Sequence, residues 1–120
     1  MGNFEKLRVW NKSKDLAVFL YRITGQGELA KDYGLRDQIR RSAVSISSNI
    51  AEGDELDTDR QSIKFFYIAK GSSAELLTQS IIAHEIGYLT NQYFDRIQKE
   101  CRAISSMLTK LIGARSQNKA

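Results

Sequence analysis

Apolar residues recur every three to four positions through most of this chain, and the pattern resolves into four helical segments. The first runs from about Glu5 or Leu7 to Thr24, with Val9, Leu16, Leu20 and Ile23 on one stripe and Trp10, Ala17 and Tyr21 along its edge. The second contains QIRRSAVSISSNIAEG and lines up Leu35, Ile39, Ala43, Ile46 and Ile50. Its other positions are small (Ser42, Ser45, Ser47, Ser48, Ala51), which lets a neighbouring backbone come close and predicts a central place in the fold. The third is the longest, from about Asp59 to Ile86. The fourth follows a Gly87-Tyr88-Leu89 turn, starts on Thr90 as N-cap, carries Ile97, Cys101, Ile104, Leu108 and Ile112, and ends by Gly113. Four helices with short connections predict an all-α, up-down-up-down antiparallel four-helix bundle over residues 1–113, with 114–120 as a polar, disordered tail.

The third segment is apolar on two sides. Phe65, Ile68, Ala69, Leu76, Ala83 and Ile86 share one face, and Ile63, Phe66, Leu77 and Ile81 share the opposite one. A bundle helix in a monomer has one stripe to bury, so the second predicts an oligomer interface made by Ile63, Phe66, Leu77 and Ile81. The connections have their own chemistry. Gly25-Gln26-Gly27 ends the first helix and Glu28 to Gly34 reads as a loop. Glu52, Asp54, Glu55, Asp57 and Asp59 form an acidic linker without calcium-loop spacing, read as a solvated turn, and Thr58 with Gln61 fits a capping box.

Composition narrows the class. The 120 residues are 42% hydrophobic and 27% charged, with no proline, which fits one soluble helical domain. The sequence has no membrane-length apolar run and its N-terminus no secretory h-region. With one cysteine, Cys101, it is expected in a reducing cytoplasm. Residues 1–41 hold nine Lys/Arg against five Asp/Glu, whereas the remainder is balanced, so the formal +4 sits at one end of the chain. Lys6, Arg8, Lys12, Lys14, Arg36, Arg40 and Arg41 are therefore the candidate nucleic-acid contacts, to RNA or DNA. Arg36 and Arg40 lie one turn apart and call for an anion, a phosphate or a carboxylate. The bland alternative pairs Asp37 with Arg41 and leaves the lysines as solubilising charge on a protein-interaction scaffold.

Catalytic readings find little footing. The one histidine, His84, lies on the apolar second face of the third helix, where a packed or interface role is expected. One His and one Cys cannot complete a zinc site within a chain, and no serine sits in a nucleophile elbow. Neither a glycine-rich phosphate loop nor any cofactor motif is present, so the chain is read as a non-enzyme without cofactor or metal.

Four pieces carry a family resemblance: NFEKLRVW (3–10), LRDQIRRSAVSISSNIAEG (35–53), FFYIAKGSSAEL (65–76) and the GYL turn (87–89). They resemble the small four-helix bundle proteins encoded in intervening sequences of bacterial 23S ribosomal RNA genes, and the related accessory variability proteins of diversity-generating retroelements. The chain departs from that pattern at Ser47 or Ser48, where the family usually has proline, and in the acidic GDELDTD stretch. The resemblance implies a bacterial protein forming a ring-like homopentamer. For the retroelement branch it further implies a basic surface that binds nucleic acid and a reverse transcriptase.

Overall fold

A computed structural model describes residues 2–56 and 58–117, and every regular element in them is helical. After a 3-10 turn at Phe4–Lys6 come α1 (Arg8–Thr24), α2 (Gly27–Lys31), α3 (Tyr33–Glu55), α4 (Asp59–Glu85) and α5 (Asn91–Gln117). The four long helices lie side by side: α3 packs on α1 and α4, and α5 packs on α4 and closes against α1. The result is a rod of 51 × 21 × 19 Å. Its core is a column of Leu16, Leu20, Ile39, Ile46, Ile50, Phe66, Leu76, Ile97, Ile104 and Leu108, all at 1% exposure or less.

The ends of the helices follow local chemistry. Leu7 is extended and leads into α1 at Arg8, while Phe4 folds back edge-on to Trp10 with ring centroids 5.0 Å apart. The expected loop at 28–34 contains α2. Gly27, at φ +62°, is the left-handed glycine of that turn, whereas Gly25 caps α1 at φ −83°. Asp32 then caps α3 by accepting from the Leu35 N–H at 3.2 Å. Thr58 accepts from the Gln61 N–H at 3.2 Å, and Thr90 from the Tyr93 N–H at 3.1 Å, as the cap signals predicted. Gly87, at φ +88°, ends α4. There the Tyr88 N–H reaches the Ala83 carbonyl at 2.8 Å and the Gly87 N–H the His84 carbonyl at 3.1 Å, a Schellman arrangement.

Two expectations are corrected. The tail does not begin at Gly113, because α5 continues to Gln117; residues 118–120 lie outside the described residues. Most of the two apolar sides of α4 form the flanks of one broad covered arc, because α4 is gripped by α3 on one flank and α5 on the other, whereas Ile68 and Ile86 of the first side lie outside it and are exposed. The centre of that arc is small and polar: Ser62, Ala69, Ser72, Ser73, Ser80 and Ala83. Phe66, expected at an oligomer interface, is fully buried in the core, Ile63 and Leu77 pack against the core, and Ile81 is half-buried.

Serines can occupy the middle of a bundle because helices brought close enough by small side chains can satisfy the hydroxyls. Ser62 donates to the Gly53 carbonyl at 2.6 Å and Ser73 to the Cys101 carbonyl at 3.1 Å. Ser42 donates to Gln79 Oε1 at 2.8 Å, and Ser45 and Ser72 share a hydrogen bond of 2.9 Å. These bonds tie α4 to α3 and α5. Ser80 is the exception among the described residues, a buried hydroxyl with no partner. An unpaired buried hydroxyl carries a desolvation penalty of about 1 kcal/mol or more. Ser80→Ala is therefore expected to raise the urea midpoint by an amount equivalent to about 1 kcal/mol, the reverse of the usual sign for a core substitution.

Candidate functional site

The seven predicted basic residues do not form one patch. Arg8 and Lys12 line a groove between α1 and α5 with Asn11, Asp15, Arg96 and Glu100, and Lys6 precedes them at the start of the chain. Lys14 points to the other side of α1, toward α3, and pairs with Asp15 at 2.7 Å. Arg40 and Arg41 line the α1–α3 groove with Tyr21, Asp37 and Val44.

Arg36 and Arg40 meet the demand for an acceptor mainly with protein oxygens. Arg40 donates through Nε to Thr24 Oγ1 at 2.8 Å and through Nη2 to the Tyr21 carbonyl at 3.1 Å, and its guanidinium lies 4.5 Å from the Tyr21 ring centroid. Arg36 pairs with Asp37 at 2.9 Å, donates to the Ala30 carbonyl at 3.3 Å and covers the Tyr33 ring at 4.8 Å. The C-terminal carbonyls of α1 and α2 are natural cation acceptors, so both arginines staple the tip of the bundle. Asp37 is thereby taken by Arg36, not by Arg41. Among the described residues Lys6, Arg8, Lys12 and Arg41 make no ion pair within 4.0 Å.

The acidic stretch is also different from a solvated turn. α3 runs through Glu55, which places Asp54 on its inner side, 8% exposed and paired with Arg115 Nη2 at 2.7 Å. Asp59 approaches the same guanidinium at 4.0 Å, and Arg115 lies 5.3 Å from the Phe66 ring centroid. Sequence reading missed this clamp because Arg115 falls beyond Gly113. The signal was there: Leu108, Leu111, Ile112 and Arg115 continue the helical spacing.

The one histidine and the one cysteine are both packed against neighbouring residues. His84 stacks on Phe94 (4.4 Å between centroids, 7° between planes), with Nε2 2.7 Å from Asn91 Oδ1. Burial pushes the Cys101 thiol up to about 12, so it stays protonated and unreactive near neutral pH. Among the described residues no cluster of three or more His, Cys, Asp or Glu could hold a metal ion, and no helix is long and apolar enough to cross a membrane.

The structure leaves two apolar surfaces exposed. Val18, Tyr21 and Val44, each 40–46% exposed, floor the α1–α3 groove, whose rim carries Lys14, Arg22, Arg40 and Arg41. On α4, Ile68, Ile82 and Ile86 are 42–53% exposed, with Tyr67 beside them. Periodicity alone could not separate these from core positions, since they are the same residue types at the same spacing.

The chain belongs to the 23S rRNA-intervening sequence protein family, which it matches over residues 5–110. Its fold is similar to that of a protein of unknown function from the S23 ribosomal protein family of Bacteroides thetaiotaomicron VPI-5482, with a TM-score of 0.80. That protein is 24% identical over 87% of this chain and 97% of its own, a likeness of fold. No curated protein matches the chain.

Proposed function

We propose that this protein is a non-catalytic, ring-forming homo-oligomer, five copies to the ring, that binds nucleic acid as an accessory to an RNA or reverse-transcriptase complex. The observation that carries the binding half is the α1–α5 groove, where Arg8 and Lys12 lie, with Lys6 just before them in the chain, and none of the three has an ion-pairing carboxylate within 4.0 Å among the described residues. Three cations per protomer make a weak site. A closed ring repeats it, and linked weak contacts add through effective concentration. The family takes its name from intervening sequences of 23S rRNA, which makes structured RNA the first ligand to try.

Three phosphate contacts from one protomer give a log–log salt slope of about −2.7 on duplex, a loss of roughly 40-fold in affinity between 50 and 200 mM salt, and a steeper slope for each further protomer engaged. Fluorescence anisotropy with a labelled RNA hairpin and a DNA duplex measures it. The Lys6/Arg8/Lys12→Glu variant is expected to abolish binding while keeping the wild-type mass. Salt-independent affinity, or undiminished binding by that variant, would overturn the reading.

The second reading, a protein-interaction scaffold without nucleic-acid binding, is favoured by one specific finding. Arg36 and Arg40, the pair that most called for a phosphate, are occupied by Asp37, Thr24 and main-chain carbonyls. Absence of RNA or DNA binding at low salt by an assembled protein would select it.

A further inference from the structure

We infer that the α1–α3 groove of one copy receives the outer ridge of α4 of the next, in a head-to-tail contact. The ridge is defined by spacing: Ile68, Gly71, Glu75, Thr78, Ile82 and Ile86 follow at intervals of three and four residues, and all are exposed. It ends at the Gly87 turn. A Cβ at Gly71 would meet nothing within 4 Å, so the middle of the ridge is low and open to close approach.

The groove answers the ridge in shape and charge. It holds about 510 Å³ above an apolar floor of Ala17, Val18, Tyr21 and Val44. Its cations are Lys14, Arg22, Arg40 and Arg41, with Asp37 the carboxylate lining it. From Ile68 to Ile86 the α4 sequence contains Glu75, Glu85 and one cation, Lys70, which lies off the ridge spacing, and Lys64 stands one turn before Ile68. An apolar strip that carries Glu75 thus meets an apolar floor rimmed by cations, whereas the groove against its own copy would bring like charges together.

Topology then sets the kind of assembly. Both surfaces border α3, and Arg41 lines the α1–α3 groove as well as the α3–α4 groove that holds Glu75. They are adjoining sides of the rod, not opposite ones. A heterologous contact between adjoining sides turns each copy relative to the last, and repeated contacts make a ring where that rotation closes and a helical filament where it does not. Arg8 and Lys12, on the α5 side of α1, stay outside the contact.

This pairing presupposes the oligomer proposed above, and a complementation experiment separates the two. Val44→Asp breaks the groove and Ile82→Asp breaks the ridge; both positions are exposed, so circular dichroism should show unchanged helicity. Each variant alone is expected to sediment as a 13.6 kDa monomer at micromolar concentration. Mixed in equal amounts, they are expected to form a one-to-one dimer and nothing larger, because one intact groove meets one intact ridge. Glu75→Arg, a charge change at an exposed site, should weaken wild-type assembly at least tenfold in concentration. If the unmodified chain is itself a monomer, the oligomer reading fails. If the unmodified chain assembles but either aspartate variant keeps full size, or the two do not complement, the head-to-tail pairing is overturned.

Discussion

Replacing Arg115 with alanine is expected to destabilise the protein by about 3 kcal/mol, because it strands a carboxylate inside the bundle. Asp54 is 8% exposed, and its partner of 2.7 Å comes from a position 61 residues away. The same guanidinium faces the ring of Phe66, so the alanine also loses contact with a core residue. Arg115→Lys should recover only part of the loss, since an ammonium cannot face Asp54 and Asp59 in the forked geometry. Ending the chain after Gly113 should cost as much as Arg115→Ala, although a frayed tail could be removed without effect. Urea denaturation of the three variants checks this; a truncated chain as stable as the parent would show that the clamp contributes nothing.

Gly53→Ala should also destabilise, with the opposite sign from the helix-propensity rule. A glycine inside a helix ordinarily gains about 1 kcal/mol on becoming alanine. At position 53 the added Cβ would sit 2.9 Å from Phe66 Cε1 and 3.1 Å from Phe65 Cβ. The Gly53 carbonyl also receives the Ser62 hydroxyl at 2.6 Å, so α3 cannot back away without stretching that bond. Overpacking of this kind costs about 1–3 kcal/mol, enough to outweigh the propensity gain. Gly113→Ala is the matched control. It lies within α5 with nothing within 4 Å of a built Cβ, and should stabilise by about 1 kcal/mol. Equal shifts at both positions in thermal unfolding would contradict the account.

Both predictions fall where sequence reading stopped short. The long helices were legible because Leu16, Leu20, Ile39, Ile46, Ile97 and Ile104 recur at helical spacing and all end up in the core. The caps at Thr58 and Thr90 were legible because capping is local chemistry. The buried centre of α4 was not, because serine reads as polar until a neighbouring carbonyl is known to receive it. For the same reason Ile63 and Phe66 were assigned to a partner chain when α3 and α5 already cover that arc. The basic residues were visible as a set, but a one-dimensional count cannot tell that Arg40 turns into Thr24 and the Tyr21 carbonyl while Arg8 and Lys12 face the α5 groove. Asp54 and Arg115 meet only through the antiparallel return of the chain.

The claim on which the functional reading rests is that the exposed isoleucines of α4 and the floor of the α1–α3 groove are covered by other copies of the chain. Sedimentation equilibrium of the unmodified protein at micromolar concentration tests it directly. The account predicts a single closed species of about 68 kDa, five copies of 13.6 kDa, that does not grow with concentration. A stable, helical 13.6 kDa monomer across that range would contradict it.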